Sequence, residues 1–327
     1  MCTCITYHNQ NFYFGRNLDL AMSFQEKVVI TPRNYPFTFH NGEVLQHHYA
    51  IIGMAAELDS YPLYAEAANE KGLCMAGLYF PGYAVYQKPQ KDQQQIAPFE
   101  LIPWLLAGCA SVAEAELRLR QIELAEIPFR GDIPIAPLHW LLADAKRCLV
   151  IEAVAEGLQL YENPYGVLTN NPPFPYHQIH LNNYLNITAE QPENRFAESL
   201  SLQPYGQGMG AIGLPGDASP ASRFVKAAFL KWNSVCPQEE MANITQFFHI
   251  LDQVSMVRGA VCISKDQYDI TTYTCCINAK QGIYYYKTYE NNQIQGIRLF
   301  QEDLEQPNLI CYELAKQQQV HYVNEMV

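Results

Sequence analysis

Along this chain, segments with the two-residue period of strands and segments with the 3.6-residue period of helices come in blocks, and that grouping limits the fold more than any other feature. The first hundred residues read mainly as strands. Residues 2–7 and 11–16 form a hairpin around His8-Asn9-Gln10, followed by residues 26–31, 49–55 and the apolar run 73–80, with breaks at Pro32, Pro36 and Asn41-Gly42. From Pro98 the period changes: Phe99, Leu101, Ile102, Leu105 and Leu106 fit one helical face, and Ser111 with Glu114 three residues on has capping-box spacing. Strands return at 138–143, 148–155 and 158–161, a second helical pair at 222–233 and 244–256, and final strands at 269–277, 282–289 and 295–300. Blocks of this kind do not make a doubly wound parallel sheet, which needs strand and helix to alternate. They predict an α+β fold, two antiparallel sheets packed together and flanked by helix layers. No linker or solenoid repeat divides residues 1–327, so one domain is expected.

Composition narrows the partners. The 327 residues are 49% hydrophobic, enough for a large core, and 21 Lys+Arg against 33 Asp+Glu leave a net charge of −12 with no basic run. Such a chain repels phosphate backbones and anionic lipid, so neither nucleic acid nor a membrane surface is an expected partner. Ten cysteines are too sparse for a disulfide scaffold, and Cys2/Cys4 and Cys275/Cys276 lack the spacing of a zinc site, so no metal and no cofactor are expected. Without a signal-like start or an apolar run of eighteen residues, the expectation is a reduced, cytoplasmic protein.

One motif is set aside on context. Gly208-Met209-Gly210-Ala211-Ile212-Gly213 has the letters of a dinucleotide fingerprint, but Pro204-Tyr205-Gly206-Gln207 before it and Leu214-Pro215-Gly216-Asp217 after it are not strand and helix. It reads as a glycine loop with close backbone approach or positive φ, leading to Arg223 at a helix start.

The start of the chain carries more chemistry. Removal of Met1 would leave Cys2 with a free α-amine and a thiol on one residue, a base near 7.7–8.0 beside a nucleophile near 8.5. Read without that processing, Cys2 is a small apolar residue opening an edge strand. The hairpin would carry Arg16 and Asp19 close to Cys2, a guanidinium to favour thiolate and a carboxylate to hold an ammonium group; a surface ion pair is the alternative. In Val167-Leu168-Thr169-Asn170-Asn171-Pro172, an apolar strand ends in two amides, either an oxyanion donor or simply a turn.

With Met1-Cys2-Thr3, Gly15-Arg16-Asn17-Leu18-Asp19, Asn69-Glu70-Lys71-Gly72-Leu73, Leu138-His139-Trp140, Val167-Leu168-Thr169-Asn170, Gly213-Leu214-Pro215-Gly216-Asp217 and Ser222-Arg223-Phe224 in order, the chain resembles the choloylglycine hydrolase family, the bile salt hydrolases and penicillin V acylases among N-terminal-nucleophile hydrolases. The resemblance runs to about residue 300 and is closest to clostridial bile salt hydrolases. It implies an αββα sandwich, a homotetramer, and a small-molecule substrate, a conjugated bile salt or related N-acyl amide. Carried over by position, it implies Cys2 as nucleophile, Arg16 beside the thiol, Asp19 on the amine, Asn170 and a backbone N–H near Tyr79 at the oxyanion, and Arg223 completing the cluster. Tyr79 departs from the Asn of many bile salt hydrolases and looks like penicillin V acylases, so release of 6-aminopenicillanic acid is the alternative activity. A non-catalytic binding module of the same fold is the alternative of another class. Leu18, Met22, Phe24, Leu58, Tyr64, Ile133 and Ile135 are expected to line an apolar pocket, since a rigid steroid would bind by burial.

If Cys2 is the nucleophile, intact-mass measurement of active protein is expected to show a chain lacking Met1. Methionine retained in active material would remove the assignment.

Overall fold

Residues 2–7 of the first strand, Cys2–Asn9, are buried without alternation, and so are residues 12–19 of the second, Asn11–Leu20. A hairpin without a solvent face must be covered on both sides. In the computed structural model, which describes residues 1–90 and 94–324, two large antiparallel sheets and two helix layers provide that cover. The first sheet runs in the order Val167–Leu168, Cys2–Asn9, Asn11–Leu20, Gln267–Asn278, Ile283–Thr288, Gln295–Arg298, with Val261–Ser264 also on Gln267–Asn278. The second runs Gly157–Glu162, Cys148–Val154, Leu138–Ala143, Cys74–Tyr79, Tyr61–Asn69, Ile51–Leu58, Lys27–Thr31, Ile310–Glu313.

Period-two alternation sorts the second sheet's side chains into two cores. Val28, Ile30, Ile52, Met54 and Leu141 join the core shared with the first sheet, whereas Val29, Ile51, Ala55, Trp140 and Leu142 pack with helices α1 (Leu101–Gly108) and α2 (Val112–Leu119). The outer face of the first sheet is covered by α4 (Pro220–Trp232) and α5 (Glu240–Asp252), through Phe224, Phe247 and Leu251. The layer order is helix, sheet, sheet, helix, the expected αββα sandwich.

Several elements differ from the sequence reading, each for a local reason. The strand Tyr61–Asn69 was not expected: it opens Tyr-Pro and continues Leu-Tyr-Ala-Glu-Ala-Ala-Asn without a β-branched residue, and its conformation is set by strands on both sides. Helix α3 (Phe174–Leu181) follows two prolines and has little amphipathic pattern to announce it. The edge strands Val261–Ser264 and Ile310–Glu313 are too short to stand out. Helix α4 starts at Pro220 because Ser219 caps it, accepting from the Ser222 N–H, and α5 lies at Glu240–Asp252 rather than 244–256. Ser111 does cap α2, but Glu114 reaches back to the Ala110 N–H instead of closing a capping box on Ser111. In the glycine loop, Gly208 and Gly213 have φ of 80° and 98°, and a Cβ on Gly210 would lie 1.9 Å from the Glu190 carbonyl oxygen.

The hairpin's fit against Gln267–Asn278 leaves no space at Gly15, where a Cβ would lie 2.1 Å from the Cys275 carbonyl oxygen. Gly15→Ala is expected to cost about 1–3 kcal/mol, seen as a lower urea midpoint at unchanged m. Gly131→Ala, at a position with open space, is the near-neutral control.

Candidate active site

Hairpin register decides which side chains meet. Cys2 pairs with Leu18, Thr3 with Asn17 and Cys4 with Arg16, so Cys2, Cys4, Arg16 and Leu18 share the face toward the second sheet. Thr3, Asn17 and Asp19 point to the α4/α5 side, where Asn17 Nδ2 donates to the Leu251 carbonyl (2.8 Å). Arg16 thus lies on the thiol side of Cys2 and Asp19 on the backbone side.

Asn170 joins the strand start to the rest. Its Oδ1 accepts from the Cys2 N–H (2.9 Å) and from Arg223 Nη2 (2.7 Å), and its Nδ2 donates to the Tyr79 carbonyl (2.7 Å). Arg223, in the first turn of α4, also donates through Nη1 to the Cys2 carbonyl and to Thr3 Oγ1, and through Nε to the Ala218 carbonyl. Asp19 is fully buried. Its Oδ1 accepts from Thr271 Oγ1 (2.6 Å), while its Oδ2 has no partner. Met1 is present, and its amine bonds the Asp19 backbone carbonyl (2.7 Å) and Asp269 Oδ2 (3.2 Å), not the Asp19 carboxylate. Burial pushes the Asp19 carboxyl up, against the pull of Arg223, the terminal amine, Thr271 and Arg16. Burial likewise depresses Arg223, against nearby Asp19, Cys2, Asp269 and Asp217.

Behind Arg16 stands a residue the sequence reading missed. Glu66, wholly buried, lies 3.7 Å from Arg16 Nη1 and accepts from the hydroxyls of Tyr273 (2.7 Å) and Tyr284 (2.6 Å). Burial alone would lower the Arg16 pKa, but Cys2, Tyr273, Glu66 and Cys4 more than reverse it, so the guanidinium stays charged. Cys4, Cys74, Cys275 and Cys276 are pushed well above the usual thiol range by burial, which suppresses their thiolates.

Cys2 and Arg16 line a cavity of about 310 Å³ whose other walls are mostly apolar. Leu18, Phe24, Tyr64, Ile133 and Ile135 line it, together with Leu20, Leu63, Phe99, Ile127 and Phe129. Met22 and Leu58 do not. Met22 projects into solvent at 67% exposure, and Leu58 ends its strand at the turn Asp59-Ser60, away from the lining. Tyr79, at the end of its strand, is half-exposed at the rim.

The model of the linear amide C–N hydrolases, choloylglycine hydrolase family, matches residues 2–312. The chain belongs to the choloylglycine hydrolase family. It is 49% identical over 324 residues to a bile salt hydrolase/transferase of Lactiplantibacillus plantarum (99% of this chain, 100% of the relative) and 38% identical to one of Clostridium perfringens (99% and 100%). A crystal structure of a mutant conjugated bile acid hydrolase from C. perfringens superposes with a TM-score of 0.91 at 36% identity, covering 99% and 100% of the chains. The penicillin V acylase of Agrobacterium tumefaciens shares the fold at 19% identity, with a TM-score of 0.76 over 95% and 91%. As a choloylglycine hydrolase the chain is an enzyme of linear amide bonds with an N-terminal-nucleophile hydrolase fold.

In this choloylglycine hydrolase, Arg223 offsets a buried carboxylate. Arg223→Gln is expected to destabilise by about 3–5 kcal/mol near neutral pH, because Asp19 loses its principal counter-charge. A carboxyl held above its unfolded pKa stabilises the fold at low pH and loses that contribution as pH rises, so the penalty should shrink from about pH 7 to about pH 5. Urea midpoints at the two pH values check this; an equal penalty at both contradicts it.

Proposed function

We propose that this enzyme hydrolyses the amide of glycine- or taurine-conjugated bile salts, with Cys2 as nucleophile after loss of Met1. The observation that carries the reading is the cavity, lined mostly by apolar side chains together with Cys2 and Arg16. A rigid steroid gains affinity there by burial, while its amide reaches the thiol. The freed α-amine takes the thiol proton, and the unpartnered Asp19 Oδ2 is the oxygen available to hold the ammonium. Sulfur bonds to the amide carbon as the carbonyl pair moves onto oxygen. The second Asn170 Nδ2 proton and a main-chain N–H at Tyr79 stabilise that oxyanion. Collapse breaks the C–N bond, the amine leaves with the proton, and water then cleaves the thioester. The names of two relatives include transferase activity, which in this scheme is an amine taking the place of water.

The homotetramer belongs to the same proposal. It is supported by apolar side chains exposed between residues 179 and 235, among them Ile179, Leu185, Phe196, Tyr205 and Trp232. Tyr79 at the rim favours penicillin V as a second reading. A paired assay separates them: glycine or taurine released from conjugated bile salts is expected to exceed 6-aminopenicillanic acid released from penicillin V, and Cys2→Ala to abolish both. A penicillin rate above every bile-salt rate would replace the substrate. Undiminished turnover in Cys2→Ala would leave a chain that does not use this thiol.

A further inference from the structure

Asn170 lies just beyond the strand Val167–Leu168, whose ladder to Cys2–Asn9 stops at Leu168. Its backbone is therefore not fixed by the sheet. Two fully buried imidazoles take over that task, on consecutive carbonyls. His139 Nε2 donates to the Thr169 carbonyl (3.1 Å) and His177 Nε2 to the Asn170 carbonyl (2.9 Å); a carbonyl can only accept, so both rings carry a proton on Nε2, and the contact of His139 Nδ1 with Glu152 holds a further proton between them. His139 is stacked on Phe80 with centroids 4.2 Å apart, and His177 on Phe224 at 4.9 Å. Neither ring lines the cavity, and the proposed chemistry uses neither.

The two histidines are linked through one carboxylate. Glu152, buried on Cys148–Val154, places Oε1 3.0 Å from His139 Nδ1 and accepts with the same oxygen from the Phe174 N–H (3.0 Å), the first residue of α3. Helix α3 then presents His177 to Asn170. Hydrogen bonds and chain close a ring: Glu152, His139, the Thr169 and Asn170 carbonyls, His177, α3, and back to Glu152. We infer that Glu152, His139 and His177 are positioning residues, a bracket that fixes the Asn170 amide where the oxyanion develops. A donor displaced by 1 Å loses about a hundredfold in rate, so a bracket outside the first contact shell is of direct catalytic consequence.

The inference rests on the proposed function, and the experiment keeps the two apart. His177→Gln, His177→Asn and His177→Leu are compared with the unaltered enzyme on taurocholate, with inhibition by the side-chain aldehyde of cholic acid and by free cholate measured for each. The aldehyde adds the Cys2 sulfur to its carbonyl carbon, the thiol proton going to the oxygen, and so uses the oxyanion donors; cholate binds without them. Gln can place an N–H where Nε2 stands, whereas Asn places one nearer Nδ1 and Leu none. The expected result is a loss of about tenfold or more in kcat and in aldehyde inhibition for Asn and Leu, cholate inhibition within about twofold, and recovery to within about threefold for Gln. If the Leu protein does not fold, the Gln–Asn contrast decides alone. Equal impairment of Gln and Asn, equal weakening of aldehyde and cholate, or a folded Leu variant with full kcat overturns the bracket. An unaltered enzyme that neither turns over taurocholate nor is inhibited by the aldehyde overturns the proposed function, and the bracket with it.

Discussion

One side-chain amide holds the centre of this molecule together. Asn170 accepts from the first strand and from the start of α4 while donating to the end of a strand in the opposite sheet. Each bond is worth about 1 kcal/mol net, or about 1.5–3 where the partner is charged, but any one of them left unmade would strand a buried polar group. The burial of Arg223 follows from the same arrangement, because a charge excluded from water persists only where neighbours compensate it.

The residues legible in the sequence were those placed by local geometry. A hairpin turning at Gln10 puts Arg16 and Asp19 near Cys2 by counting alone, and Arg223 lies near a helix start as read, although that start is Pro220 and not residue 222. What was not legible depends on pairings across most of the chain. Thr271 and Asp269 reach the site because Gln267–Asn278 pairs with Asn11–Leu20, some 250 residues earlier, and Glu66 because a strand poor in β-formers is held between two better ones. The cavity behaved similarly. Leu18 and Phe24 are on or close to the hairpin, whereas Phe99 comes from a 3-10 turn just before α1 and Ile127 and Phe129 from the segment after α2.

The electrostatics gain meaning from this layout. A chain of net charge −12 has no long-range attraction for an anion, yet one buried guanidinium, that of Arg16, lines the apolar cavity beside Cys2, and a second, that of Arg223, lies outside the lining on the Cys2 carbonyl. Apolar burial can bring an amphipathic anion in, and local positive charge then acts at short range in a poorly screened setting. Arg16 is held by main-chain carbonyls, donating to those of Gly77, Ala65 and Asn17, while Glu66 stands 3.7 Å away and accepts its hydrogen bonds from the phenols of Tyr273 and Tyr284.

The register of the first hairpin also makes the beginning of the chain a ruler. Side chains alternate with a period of two, so the number of residues between the chain start and Gln10 decides whether the first thiol faces the cavity or the helix layer. Loops elsewhere can lengthen with small entropic cost. This stretch cannot, for a single inserted residue would turn every side chain ahead of it over, and any peptide left in front would occupy the space between Asp19 and Asp269. Divergence among such chains should therefore be free in length almost everywhere except across their first nine residues.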